Sequence, residues 1–288
     1  MFLFVSIVKI KLSKVKINLV HFINTRSLRT FFLFKNENKI TSFYNGGSTS
    51  EGVKGKAYKK IFKRNVFIDC LSEDIRTIII NESKNPPEPQ KVYVSPCSFI
   101  NYENTNVDFH SKENIISFVG RLTQDKGLIL LMEVLKELCY SIPQYKIYIL
   151  GKGPLDSKLN TYINQNGLEK MIFTGFIPDP KIILKKSKIF LSLQKNENYP
   201  SQALLEAMAC KNAIIATDVG LTRDLVNCER GILIENNSSA LLKAILVLAN
   251  NENKIKFMGE NAREFVLKHH TVEKYYEYLI HLYNNIIN

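Results

Sequence analysis

From about Ile115 onward, short β-branched runs alternate with longer segments whose apolar residues recur every three to four positions. This alternation constrains the fold more than any other feature of the chain. A strand, an amphipathic helix and a second strand in succession form a βαβ unit, so the pattern predicts an α/β domain on a parallel sheet. Strands are expected at 115–119, 146–150, 171–174, 189–193, 213–217 and 231–234, with helices at 128–139, 155–165, 179–186, 201–209 and 238–248. Two more helices, 253–269 and 271–287, close the chain.

The first half is less regular. Strands are expected at 18–23, 39–44, 66–70 and 91–94, with a basic helical stretch at 55–64 and a proline-rich turn region at 85–90. The polar stretch 101–114 has no clear periodicity and is read as the interdomain linker. The expected division is 1–110, 111–270 and a C-terminal helix at 271–288. That helix carries Val272, Tyr275, Tyr276, Leu279 and Tyr283 on one stripe, which suits packing on the second domain alone or across both.

With 45% hydrophobic and 23% charged residues among 288, the chain has enough apolar surface to build a core. The charge is uneven. Residues 1–64 carry fourteen Lys and Arg against Glu37 and Glu51, so the whole formal surplus of +12 lies there. Such a stretch favours membrane headgroups or lipid-linked phosphates, or is simply a solvated basic face; no nucleic-acid recognition motif accompanies it. The five cysteines, Cys70, Cys97, Cys139, Cys210 and Cys228, have no metal-binding spacing and read as reduced, mostly core thiols of a cytoplasmic protein. Met1 to Val8 is apolar but lacks a basic start and a cleavage site, and is too short to span a bilayer; it reads as part of a folded element.

Three segments could carry chemistry. In 118–127, Phe-Val-Gly-Arg-Leu-Thr-Gln-Asp-Lys-Gly, a strand gives way to a helix whose N–H groups and positive dipole end favour an anion, and Arg121 and Lys126 add two cations. A diphosphate fits that chemistry, as does a charged loop without a ligand. In 150–154, Leu-Gly-Lys-Gly-Pro, a second Gly-rich turn follows a strand; it is a tight turn or a contact at the crevice where doubly wound sheets bind ligands. In 197–209, Pro200 suits the first turn of a helix and Leu204, Leu205 and Met208 form its buried stripe. Glu206 lies among those apolar neighbours and needs a partner: a lysine, or two vicinal hydroxyls such as those of a ribose.

Taken together, Gly120-Arg121-Leu-x3-Lys126-Gly127, Gly151-x-Gly153-Pro154, Gly175-Phe176, the 197–209 segment and Ala213-Ile-Ile-Ala216-Thr217-Asp218-Val219-Gly220 resemble the donor domain of GT-B glycosyltransferases of family 4. The resemblance covers about 114–234. It implies two Rossmann-like domains with parallel sheets and retaining transfer of a hexose-type sugar from a nucleotide-sugar to a glycan or lipid-linked acceptor. Arg121 and Lys126 would hold the diphosphate, Glu206 the ribose and Glu197 the sugar hydroxyls. Gly120, Gly151, Gly153, Pro200, Leu205, Asp218 and Gly220 would line the substrate. The family spacing is Glu-x7-Glu, whereas this chain has Glu-x8-Glu, so Glu197 or Asn198 occupies the first position.

Segments 18–22, 39–42, 45–47 and 69–72 are similar to the middle and last strands of the family's acceptor domain, which implies a shortened N-terminal domain. His21 would match a cleft-facing histidine of that domain, or is a buried histidine satisfied by its neighbours. His269 and His270 read as surface residues. No Asp-x-Asp occurs, and neither a metal nor a cofactor is expected. The resemblance and the basic first quarter together suit work at the inner face of a membrane. The rival reading is a non-catalytic nucleotide-sugar-binding remnant or the partner subunit of a complete transferase. A GT-B-like epimerase would need acid/base groups that the sequence does not clearly offer.

Overall fold

The structure is a computed structural model that describes residues 17–23, 38–43, 66–82, 86–95, 102–196 and 199–288. The basic helix expected at 55–64, the Met1 to Val8 segment, the 45–47 turn, Cys97 and the Glu197/Asn198 pair lie outside the described residues. The chain divides into two compact units: Met1–Cys97 with Glu273–Asn288, and Ser98–Val272.

The second unit is a six-stranded, wholly parallel sheet. Its strands are β5 (Glu113–Val119), β6 (Lys146–Leu150), β7 (Ile172–Gly175), β8 (Ser187–Ser192), β9 (Ala213–Thr217) and β10 (Gly231–Ile234), in the order β10-β9-β8-β5-β6-β7. Each falls within two residues of expectation. The central strands β8 and β9 are buried along their whole length, which is why they read as continuous aliphatic runs rather than alternating ones.

The two-residue period then sorts their side chains between two cores. Ile189, Leu191, Ala213 and Ile215 enter one core with helices α2 (Leu128–Ser141), α3 (Asp156–Gln165) and α7 (Ser238–Ala249). Phe190, Ile214 and Ala216 enter the other with α5 (Gln202–Ala209) and α8 (Glu252–His269). Two single-turn helices, α4 (Lys181–Leu184) and α6 (Thr222–Leu225), complete the connections. Side-chain caps begin α7 and α8: Asn237 accepts from the Ala240 N–H and Asn251 from the Lys254 N–H.

The linker expected at 101–114 is instead part of this unit. Tyr102 and Phe109 are buried in its two cores, and two aromatic anchors in a short polar run leave no periodicity to read. Lys112, in the same run, is buried, and its Nζ donates to the carbonyls of Leu184, Lys185 and Ser187 at 3.5, 3.4 and 2.5 Å. Burial lowers its pKa to about 7, with Cys210 opposing and Lys211 and Lys188 reinforcing the shift. Asn212, fully buried, donates to two of the same carbonyls, those of Leu184 and Ser187. Together they satisfy the end of α4 where it enters β8. His270 corrects a second expectation: it caps α8 from a buried position, its ring 5.7 Å from that of Phe265, while His269 is exposed.

The first unit has a four-stranded parallel sheet among its described residues: β1 (Leu19–Phe22), β2 (Asn38–Phe43), β3 (Phe67–Cys70) and β4 (Val92–Val94), in sequential order. One face buries Phe22, Ile68, Cys70 and Val92 with Ile79 of α1 (Glu73–Glu82), a helix absent from the sequence reading. The other face buries Ile40 against Leu282 and Ile286 of α9 (Val272–Ile287). The closing helix therefore belongs to the first unit, and packing on the second domain alone is overturned. The face that meets the sheet is Tyr278, Leu279, Leu282, Tyr283 and Ile286, whereas Val272 and Tyr276 of the expected stripe are exposed; Asn38 Nδ2 donates to the Ile286 carbonyl at 3.0 Å.

Candidate functional site

Parallel strands of one sheet end on the same side, so the loops after β5, β6 and β7 share one edge. Backbone bonds knit them together. Gly120 N–H donates to Leu150 O (3.0 Å), Gly151 N–H to Gly175 O (2.7 Å) and Leu122 N–H to Lys152 O (3.0 Å). This closeness explains the glycine at 151. A Cβ there would stand 1.8 Å from the Gly120 carbonyl oxygen, so no other residue fits.

A cavity of ≈ 350 Å³ opens at this edge, lined by Val119, Gly120, Arg121, Leu150, Gly151, Lys152, Phe176, Ile177, Pro178 and Pro180. The Arg121 side chain is exposed. Lys152 Nζ stands 4.8 Å from the centre of the exposed Phe176 ring, a cation–π distance. Lys126, half-buried beyond Arg121, donates to Gln194 Oε1 at 3.2 Å; burial lowers its pKa, Asp125 opposes and Arg121 reinforces. Gln194 is held in turn at the end of β8, its carbonyl accepting from Thr217 Oγ1 at 2.6 Å.

Glu206 is half-buried on α5. Burial raises its pKa, Lys181 opposes and Asp179 reinforces. Lys181 and Asp179 flank Pro180 of the cavity wall in sequence, while Glu206 itself does not line the cavity. The structure thus brings Gly120, Arg121 and Gly151 onto one cavity, with Gly153 in the adjoining loop, whereas Lys126 and Glu206 do not line it.

The other expected residues stand differently. Leu205 is fully buried in the core and its N–H bonds to Ser201 O, so its side chain supports α5 rather than facing a ligand. Both Asp218 carboxylate oxygens accept from Arg223 Nη2 at 3.0 Å. Pro200 is half-buried just before α5, and Gly220 is exposed with φ of 51°. Lys152, Phe176, Pro178, Pro180 and Gln194 were not expected as site residues. An aromatic followed by Pro-x-Pro after a strand was the available signal for three of them.

His21 sits in the first unit in a chain of polar contacts. Its Nε2 is 2.5 Å from Ser42 Oγ and its Nδ1 2.6 Å from Tyr283 Oη. Ser42 donates to Asp69 Oδ2 at 2.7 Å and Tyr278 to Asp69 Oδ1 at 2.6 Å, with Asp69 fully buried. A hydroxyl has one proton, and Ser42 gives its own to Asp69, so Ser42 accepts from Nε2–H and Nδ1 accepts from Tyr283. The ring is therefore a neutral Nε2–H tautomer, in keeping with burial lowering its pKa to about 4. Both nitrogens are engaged, which leaves none for a sugar in this arrangement.

Among the described residues no group of three or more His, Cys, Asp and Glu could hold a metal, and no helix is long and apolar enough to cross a membrane.

The chain is 27% identical over 192 residues to poly(ribitol-phosphate) alpha-N-acetylglucosaminyltransferase of Staphylococcus aureus (strain COL), covering 65% of this chain and 38% of that protein. It is 28% identical over 182 residues to O-antigen chain mannosyltransferase C of Escherichia coli, covering 61% and 47%. A third relative, at 26% over 178 residues (60% and 49%), is the Campylobacter jejuni GalNAc-alpha-(1->4)-GalNAc-alpha-(1->3)-diNAcBac-PP-undecaprenol alpha-1,4-N-acetyl-D-galactosaminyltransferase. The chain thus spans about half or less of these relatives' length.

Among solved structures it matches a mutant of S. aureus TarM in complex with Fondaparinux, alpha-GlcNAc-glycerol and UDP. The TM-score is 0.75 and the identity 25%, over 92% of this chain and 55% of that one. Sucrose-phosphate synthase of Thermosynechococcus elongatus, at TM-score 0.78 and 19% identity over 98% and 77%, shares the fold. The α/β fold with parallel sheets is that of the GT-B glycosyltransferases. The family model for glycosyl transferases group 1 matches residues 103–265, more than half of the chain, and the chain belongs to that family.

Proposed function

We propose that this chain is a retaining, family 4 glycosyltransferase that moves a hexose-type sugar from a nucleotide-sugar to a glycan or lipid-linked acceptor, with no metal or cofactor of its own. The observation that carries the reading is the crevice at the ends of β5, β6 and β7, with a glycine floor and Arg121 on its wall, in a loop that also carries Lys126. In this reading Arg121 and Lys126 stabilise the diphosphate as charge develops on the leaving oxygen, which is where preorganised cations lower a barrier most. Glu206 accepts from the ribose hydroxyls and Glu197 from the hydroxyls of the sugar. The incoming hydroxyl attacks from the face the diphosphate leaves, its proton passing to the donor phosphate.

UDP in the TarM complex makes it the first nucleotide to try. Arg121→Ala is expected to weaken UDP binding roughly ten- to hundredfold, the worth of a charge-assisted contact. Unchanged affinity for UDP, GDP and ADP together with unchanged turnover rules the diphosphate role out. The undecaprenol-linked acceptor in the name of the Campylobacter relative supports a lipid-linked acceptor, and the basic surplus of residues 1–64 supports a site of action at an anionic membrane face. Sedimentation with anionic liposomes should be lost at high salt.

One observation favours a second reading, a nucleotide-sugar-binding partner without turnover: both ring nitrogens of His21 are already engaged. Nucleotide binding without transfer or donor hydrolysis by the purified chain would establish it.

A further inference from the structure

The second unit holds a larger cavity than the donor crevice, ≈ 580 Å³ against ≈ 350 Å³. Gly231, Ile232, Leu233, Ile234 and Glu235 all line it. Successive strand residues point to opposite faces of a sheet, so five consecutive lining residues put the cavity along the margin of β10 rather than on one face. β10 is the last strand in the sheet order, and that margin has no strand beside it among the described residues.

The pairing with β9 tells which backbone groups face outward. Ile234 C=O accepts from Asp218 N–H at 2.9 Å, on the β9 side. Ile234 and, two residues back, Ile232 therefore turn toward β9, and Leu233 turns its N–H and C=O the other way. The C=O of Gly231 and the N–H of Glu235 face outward with it, whereas Gly231 N–H is used by Asn227 O at 2.9 Å. Along the margin this gives acceptor, donor, acceptor, donor, the ladder that an added strand completes.

The rest of the cavity adds a side-chain requirement. Ala240, Ala244 and Val247 of α7 and Met258 of α8 make it apolar, while Lys243 and Lys254 line it without an acidic partner among the described residues. Its one carboxylate, Glu235, accepts from Asn237 Nδ2 at 3.1 Å.

We propose that the open margin of β10 docks an extended segment of a partner protein in which apolar and acidic side chains alternate. The backbone ladder calls for an extended chain, the helix-lined floor for apolar side chains, and the two ammonium groups for carboxylates. A lipid headgroup answers only the last of these. A second copy pairing through its own β10 offers the two lysines only its single Glu235. The site is independent of the donor crevice and of the transfer reaction.

Cys228 lines the cavity and is exposed, so its thiol reports occupancy. The full chain is treated with N-ethylmaleimide and the modification of Cys228 followed by peptide mass spectrometry, with an acetylated hexapeptide of alternating valine and glutamate as the probe. The probe should slow alkylation at least fivefold, and its binding, read by fluorescence anisotropy, should weaken about tenfold in Lys243→Glu/Lys254→Glu, where attraction becomes repulsion. Leu233→Pro removes an outward N–H without touching the β9 ladder, and should abolish the protection in a protein that keeps its circular dichroism. If that variant does not fold, the charge variant alone decides. Absence of protection by the acidic peptide overturns the proposal. So does equal protection by a valine–lysine peptide, protection by phosphatidylglycerol vesicles in its place, self-protection that grows with protein concentration, or unchanged binding in the charge variant.

Discussion

The two units treat polar groups at their strand ends in opposite ways. In the second unit the loops after β5 and β6 bond to each other through backbone, and two of their cations, Arg121 and Lys152, stay at the surface of an open cavity while a third, Lys126, donates to Gln194. In the first unit His21, Ser42 and Asp69 close on one another and on two tyrosines of α9. A crevice with cations at its surface has charge to offer a ligand; a network that holds a helix in place spends its donors on itself. Substitutions of these polar side chains should therefore separate the two: loss of stability without loss of chemistry in one place, and the reverse in the other.

The largest effect is expected at the scaffold of the open site. Gly127 has φ of 80°, and a Cβ on it would stand 1.8 Å from the Leu193 carbonyl oxygen, so Gly127→Ala should cost about 3 kcal/mol or more in denaturant unfolding. Next comes Asp69→Ala, which strands the Ser42 and Tyr278 hydroxyls away from water and should cost about 3 kcal/mol, read in the same way. A merely exposed aspartate would cost far less, and such a result would break the contrast between the units.

Acid should act on the same network. The folded pKa of His21 lies near 4, below the ordinary value of about 6.5, so between those values the unfolded chain binds a proton that the folded chain refuses. Stability attributable to His21 is then complete above pH 6.5 and falls as the pH drops toward 4, by up to about 3 kcal/mol in total. His21→Gln should lack that portion of the slope. The smallest effect on stability belongs to Arg121→Ala, expected within about 0.5 kcal/mol of the parent because the side chain is exposed, even as nucleotide affinity falls.

The same contrast explains what could be read in advance. Every strand of the second unit was legible because buried parallel strands leave aliphatic runs between amphipathic helices, and the glycines at 127, 151 and 153 mark where backbones touch. The partners of the polar residues were not legible. Lys112 looks like a linker lysine until its three carbonyl acceptors are seen, and Asp218 like a ligand contact until Arg223 is found on it. Pairings such as His21 with Tyr283, 262 positions apart, follow from the fold and leave no local pattern. Helix α1 was missed for a milder reason: its Ile-Ile-Ile run, 78–80, reads as readily as strand.

Because α9 returns to the first unit, the second unit is an insertion within the first, joined by one covalent crossing near Cys97–Ser98 and another near Val272–Glu273. Residues at the far end of the chain therefore finish a sheet laid down by its first hundred. A ribosome will have released every strand of that sheet before Tyr278 and Tyr283 emerge, so the first unit stays open-faced through the whole synthesis of the second. Shortening the chain by only its last sixteen residues would strip Ile40, His21 and Asp69 of their cover and leave the crevice at the ends of β5, β6 and β7 intact.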